Sequence, residues 1–143
     1  MFYSIGEVAG MTGVAVSTLR YYDREGFFPE MSRSSGGIRV FSEKEIQTLR
    51  VVECLKHAGM SIKDIKEFLV WCQQGDASLQ KRHDMFHRRL QEVDKQIEAL
   101  QNTRRMLEYK CWYYDTALEK GSEAAVRQLP DEEVPPKLRP YRL

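Results

Sequence analysis

Along the first half of the chain, apolar residues come in short helical bursts, each opened by a hydroxyl and closed by a glycine. Ser4-Ile-Gly-Glu7, Ser42-Glu-Lys-Glu45 and Ser61-Ile-Lys-Asp64 each set a serine three residues before a carboxylate. In a capping box of this spacing, the two side chains satisfy backbone N–H groups that a helix start leaves open. Asp64 stands in for the usual Glu in the third. The residue before each serine is apolar (Tyr3, Phe41, Met60) and faces a second apolar residue at the staple position (Val8, Ile46, Ile65). A further short helix reads from Val16 and ends at Gly26 and Pro29. Gly10 or Gly13, Gly26, Gly59 and Gly75 serve as stops. Four short helices therefore occupy residues 4 to 74. Between the second and third, "MSRSSGGIRVF" gives a loop and then the β-prone Ile38, Val40 and Phe41, which read as a small hairpin.

In the second half the period changes. Leu79, Phe86, Val93, Leu100, Leu107 and Tyr114 fall at seven-residue intervals. With these at heptad position d, position a holds His83, Leu90, Ile97, Arg104, Cys111 and Leu118. The result is an apolar seam about forty residues long with polar breaks, the pattern of a coiled coil. A helix this long and polar needs a partner for its seam, and a homodimer is the simplest arrangement. Its expected interface is Leu79, Phe86, Leu90, Val93, Ile97, Leu100, Leu107, Cys111 and Tyr114. The alternative is packing within the chain, for which residues 119 to 143 provide too little cover. That stretch supports at most a turn or two of helix before its prolines. The expected organisation is a head over 1–75, a dimerisation helix over 76–119 and a short tail over 120–143.

Charge does little to narrow the possible partners. The net charge is +1, and residues 1 to 75 hold nine Lys/Arg against nine Asp/Glu. Bulk charge gives no support to nucleic-acid binding, so any DNA contact must come from local arrangement. No apolar run approaches a membrane span, and "MFYSIGEVAG" lacks a signal-peptide profile, so the expectation is a cytoplasmic protein without a membrane partner. Three dispersed cysteines, Cys54, Cys72 and Cys111, give neither a disulfide framework nor a Cys-x-x-Cys metal site. No metal or cofactor is expected.

A short helix, a tight turn, a second helix and a hairpin form a winged helix-turn-helix. The expected fold is all-α with a small β wing, followed by the long dimerising helix. The second helix is then the recognition helix. Its residues Val16, Ser17 and Thr18 are expected at base edges, and Arg20 and Tyr21 at bases or phosphate. Tyr22 is expected to give its hydroxyl to phosphate, and Leu19 to face the core. The competing expectation is that one of the two tyrosines packs inside.

With these elements in place, the sequence resembles the MerR-type bacterial transcription regulators over residues 3 to about 118. "YSIGEVAGMTGVAVSTLRYYDREGFFP" looks like the family's opening, "GIRVFSEKEIQTLR" like its wing and third helix, and "LKHAGMSIKDIKEFL" like its linker to the dimer helix. The resemblance implies a dimer through antiparallel long helices on a palindrome in double-stranded promoter DNA. It also implies activation by bending and untwisting an over-long spacer, so that RNA polymerase engages both promoter elements. On this resemblance Tyr3, Ser17, Thr18, Arg20, Tyr21, Tyr22, Arg33 and Arg39 match DNA-contact positions. Ala15 stands where relatives often have a serine cap and Ser17 where many have arginine, so base preference does not transfer.

The signal sensed is a separate question. "VVECLKHAGMS" is similar to a branch with a cysteine at this place, linked to aldehyde, electrophile and nitrosative stress, which makes Cys54 the candidate sensor. A thiol near Lys56 and His57 could be partly thiolate and so react with soft electrophiles. The bland reading is a small core residue. Cys111 reads as packing at an a position and Cys72 as packing at a helix end. A second function hypothesis is a noncovalent apolar ligand near Trp71, Trp112, Tyr113 and Tyr114. A third, a thiol enzyme, lacks a recognisable base with an orienting partner, and no catalytic residue is assigned.

Overall fold

A computed structural model describes residues 1–142. The chain folds as β1 (Phe2–Ser4), α1 (Ile5–Thr12), α2 (Val16–Arg24), β2 (Ser32–Arg33), β3 (Arg39–Ser42), α3 (Glu43–His57), α4 (Ile62–Gln73), α5 (Leu79–Lys120) and α6 (Glu123–Arg127). Short 3-10 turns cover Gly75–Ser78, Asp131–Glu133 and Pro136–Tyr141. Its contacts divide into two compact units, Met1–Arg89 and Leu90–Leu143. The fold is mostly helical with a three-stranded antiparallel sheet in the order β1-β3-β2.

Local sequence accounts for the helix starts. Ser4 accepts from Glu7 N–H at 3.2 Å, and Glu7 Oε1 accepts from Ser4 N–H at 3.2 Å, a complete capping box. Ser42 and Glu45 form a second box, with Ser42 N–H donating to Glu45 at 2.8 Å. At Ser61 only half the box forms, through Asp64 N–H at 3.1 Å, since aspartate is a methylene shorter than glutamate. The first helix stops at Gly13 rather than Gly10, where φ of 75° suits a residue without Cβ.

One core fills the first unit. Val8, Leu19, Phe41, Ile46, Leu49, Val52 and Ile65 are 0 to 2 % exposed, so all three staple pairs join the same cluster, with Tyr3 packed at its edge. Burial of each large side chain contributes about 1.5 to 3 kcal/mol. Phe28 meets Phe41 edge to face at 5.5 Å and so closes the loop after α2 over the sheet. The start of α5 belongs to this unit: Met85 is buried, and Phe86 meets Phe68 of α4 edge to face at 5.4 Å. Buried Ser78 fixes the corner between α4 and α5. Its hydroxyl bonds to the Trp71 carbonyl and to the Gly75 carbonyl at 3.0 Å, and Arg82 Nε donates to it at 3.0 Å.

The second unit has its own small core. Tyr109, Tyr113 and Ala117, spaced four apart along α5, are buried with Val126, Val134 and Leu138. Arg142 secures the fold-back by donating to the carbonyls of Arg127 (2.9 Å) and Leu129 (2.6 Å) and pairing with Asp131 at 2.6 Å. The tail therefore does cover part of α5, but not the heptad seam. Among the described residues no helix is long and apolar enough to cross a membrane.

Candidate nucleic-acid interface

Two faces of α2 carry opposite duties. Leu19 and Tyr22, three residues apart, are 0 and 1 % exposed and point into the core. Ser17, Arg20, Tyr21 and Arg24 are exposed and occupy the opposite face at i, i+3, i+4 and i+7. Thr18 is half-buried at the margin. The face therefore presents a hydroxyl, two guanidinium groups and a phenol, groups able to reach base edges and phosphate oxygens. Arg24 escaped the sequence reading, although its seven-residue spacing from Ser17 was the signal. Ala15 gives α2 no side-chain cap, in keeping with its sequence.

The expectation for Tyr22 is corrected. Its hydroxyl donates to Glu53 at 2.8 Å and accepts from Lys56 Nζ at 3.2 Å, and its ring stacks on Phe27 at 5.1 Å. Burial and the Glu53 bond hold its phenol protonated well above the ordinary tyrosine range. Tyr22 is the tyrosine that packs inside, and Tyr21 stays outside. The deciding signal was the three-residue spacing from Leu19.

The wing lies beside the carboxyl end of α2. Strands β2 and β3 pair antiparallel with Arg33 opposite Arg39, and Gly37, at φ 75°, turns the hairpin. Both guanidinium groups converge on one atom of α2. Asp23 Oδ2 accepts from Arg39 Nε at 2.7 Å and from Arg33 at 3.1 Å. Arg33 also donates to the Gly37 carbonyl at 3.1 Å. Sequence reasoning missed Asp23, whose partners are ten and sixteen residues away. On β1, Tyr3 pairs with Phe41 in the sheet, and its hydroxyl donates to Glu43 at 2.9 Å, which raises its pKa. Tyr3, the exposed face of α2 and the wing arginines thus all belong to the first unit.

The candidate sensor stands apart from the core. Cys54 is exposed on α3, which overturns its reading as a small core residue. The two groups expected to assist it have other partners: Lys56 serves Tyr22, and His57 Nδ1 lies 2.6 Å from the Glu53 carbonyl. Cys72 and Cys111 are also exposed. Partial desolvation by its neighbours raises the Cys72 thiol pKa, with Arg82 opposing the shift. Among the described residues no group of three or more His, Cys, Asp and Glu is arranged to hold a metal.

On α5 the seam is laid open. Leu79, Phe86, Leu90, Ile97, Leu100, Leu107, Tyr114 and Leu118 are 42 to 83 % exposed, Cys111 is exposed and Val93 is half-buried. The aromatic run Cys111 to Asp115 divides between this seam and the tail core, which buries Tyr113. A cleft of about 230 Å³ remains beside Trp112, Arg127 and Arg142. Trp71 belongs to the other unit and packs on its core.

Comparison with known proteins agrees with this layout. Residues 3–70 match the model of the MerR HTH family regulatory proteins, and residues 46–109 match the model described as MerR, DNA binding. An uncharacterized HTH-type transcriptional regulator of Haemophilus influenzae is 38% identical over 133 residues, 92% of this chain and 98% of that protein. The crystal structure of HiNmlR, a MerR family regulator lacking the sensor domain, bound to promoter DNA, aligns with TM-score 0.84 and 38% identity over 91% of this chain and 98% of that one. A MerR family transcriptional regulator from Bacillus thuringiensis aligns with TM-score 0.71 and 33% identity over 78% and 97%.

Proposed function

The chain belongs to the MerR family of helix-turn-helix regulatory proteins, and from that premise we propose that it acts as a homodimer that distorts a palindromic promoter. It is a DNA-binding transcription regulator and not an enzyme. The observation that carries the dimer is the seam: Leu90, Ile97, Leu100 and Leu107 are each about half exposed or more on one helix. A soluble protein seldom leaves a stripe of this kind open, and a heptad repeat is covered by a second helix of the same kind. Two heads joined in this way read two half-sites, with Ser17, Thr18, Arg20 and Tyr21 at the groove and Arg33, Arg39 and Tyr3 toward the backbone. Bending and untwisting the spacer would bring two promoter elements into register for RNA polymerase, which the protein reaches through DNA. The relative HiNmlR was crystallised on promoter DNA, which supports this use of the head. The site of action is the cytoplasm. Footprinting on the protein's own upstream region, with sedimentation of the free protein, tests the proposal. A monomer that protects a single half-site would overturn it.

Exposure of Cys54 supports a second part of the reading, in which this thiol senses electrophile, aldehyde or nitrosative stress. Its neighbour in sequence, Glu53, is the carboxylate that anchors Tyr22 of the recognition helix, so bulk added at Cys54 acts next to that anchor. An adduct shifts the regulator only as far as it is tolerated differently in the two states. The test is a promoter reporter in Cys54→Ser, Cys72→Ser and Cys111→Ser cells exposed to formaldehyde, with mass spectrometry locating the adduct. Loss of induction in Cys54→Ser alone supports the thiol switch. Full induction in that variant transfers weight to a noncovalent ligand at the aromatic residues around Trp112.

A further inference from the structure

Asp23 sits where a helix least favours a carboxylate. It lies in the last turn of α2, where aligned peptide dipoles and open carbonyls already place partial negative charge. Its side chain is nevertheless only 14 % exposed. Facing it, Arg33 and Arg39 are direct cross-strand partners, a position in which like charges repel. One oxygen offsets both conflicts, since Asp23 Oδ2 accepts from Arg39 at 2.7 Å and from Arg33 at 3.1 Å. Forming the hairpin does not require this cluster, because the backbone bonds from Ser34 N–H to the Ile38 carbonyl (2.8 Å) and from Gly37 N–H to the Ser34 carbonyl (2.9 Å) close it.

We infer that Asp23 is a specificity-determining residue: it holds the two wing arginines in reserve, so that phosphate gains them only where the duplex backbone displaces the carboxylate. The inference rests on the DNA-binding reading of the head. Binding to arbitrary sequence comes from cations that neutralise phosphates whatever the bases are. A carboxylate already paired with two guanidinium groups weakens that attraction on every duplex. On the operator, the seated recognition helix presses the phosphates against the wing, and phosphate exchanges for carboxylate. Affinity for random DNA therefore falls more than affinity for the operator, and that difference is specificity. A head with nine basic and nine acidic residues over positions 1 to 75 fits a surface that restrains loose attachment.

The variant Asp23→Asn keeps the shape and one acceptor oxygen, removes the charge and relieves the dipole conflict, so α2 should persist. Binding of the full chain is measured against random duplex and against an operator that the wild-type protein recovers from fragmented genomic DNA, over a range of salt. In the variant, random-duplex affinity should rise about three- to tenfold at low salt, with the log–log salt slope steeper by about one unit per arginine released. Operator affinity should change less, so that the ratio of the two falls. An unchanged ratio, whether both affinities hold or both fall together, overturns the inference. The wild-type protein gives a measurement independent of the variant's folding: exchange of the Arg39 Nε–H with solvent should be slower than that of exposed Arg20. Equal exchange would also overturn it. Should the wild-type protein recover no preferred sequence, the regulator reading itself fails. That result differs from a selective wild type whose selectivity survives Asp23→Asn.

Discussion

The Tyr22 hydroxyl donates to Oε1 of Glu53 across 2.8 Å, joining α2 to α3. Lys56 donates to the same hydroxyl oxygen and lies 5.8 Å from the ring centroid. With both the donor and an acceptor site of the phenol engaged by α3, and the Tyr22 ring itself buried, α2 is fixed in its rotation, and Ser17, Arg20, Tyr21 and Arg24 face outward together.

Tyr22→Phe should destabilise the protein by about 1 to 2 kcal/mol at neutral pH, because Glu53 and Lys56 lose their shared partner. The folded-state pKa of Tyr22 is raised above the unfolded value of about 10. Above that pH the unfolded chain binds fewer protons than the folded one, so the Tyr22 contribution is full below pH ~10 and is lost as pH rises. Urea titrations of wild type and variant should show a constant gap from about pH 7 to 9 that closes above about pH 10. A gap that stays flat through alkaline pH counts against a buried, protonated phenol.

Arg20→Ala should weaken operator binding by about 1 to 3 kcal/mol without changing thermal stability, since Arg20 is exposed in the free protein. Fluorescence anisotropy with labelled operator provides the measurement. Unchanged affinity would remove Arg20 from the interface.

Leu100→Asp tests the seam. Leu100 is 69 % exposed in the single chain, so a carboxylate there costs the protomer's own fold little. Buried between two protomers, the same carboxylate costs about 3 to 5 kcal/mol. Sedimentation should show monomer, and operator affinity should collapse because linked binding at two half-sites is lost. An intact dimer would mean that the heptad faces something else.

Leu138→Ala tests the tail. Leu138 is 4 % exposed among Tyr109, Tyr113 and Val134, and truncation should cost about 2 to 5 kcal/mol of local stability. Protease should then cut the segment after Gly121 faster, while melting of the first unit, whose core contains none of these residues, stays put. Equal resistance to cleavage would show that the tail does not depend on this core.

The helices were legible because their signals are local. Ser4, Ser42 and Ser61 open them, Gly13 stops the first, and the heptad spacing sets α5 apart. What escaped was long in range or short in extent. Strand β1 has three residues, too few to show alternation, and exists through pairing with β3 some forty positions away. Asp23 looked like one more charge in a charged segment until the wing brought Arg33 and Arg39 to it. Tyr21 and Tyr22 were separable by their spacing from Leu19, a signal passed over in favour of shared chemistry. In "CWYYD" two stripes overlap: the heptad claims Cys111 and Tyr114, so Tyr113 looked surplus and open to a ligand. Its partners Val126, Val134 and Leu138 are scattered among prolines and show no period of their own.

That overlap makes the history recorded along α5 uneven. From Asp94 to Thr103 every residue is exposed in the chain, and apart from the seam positions a change there meets only water. From Tyr109 to Leu118 one side carries Cys111, Tyr114 and Leu118, while another lies under the tail. Neutral drift should therefore accumulate in the middle of the helix and stall toward its end, where a residue that suits one neighbour must also be acceptable to the other.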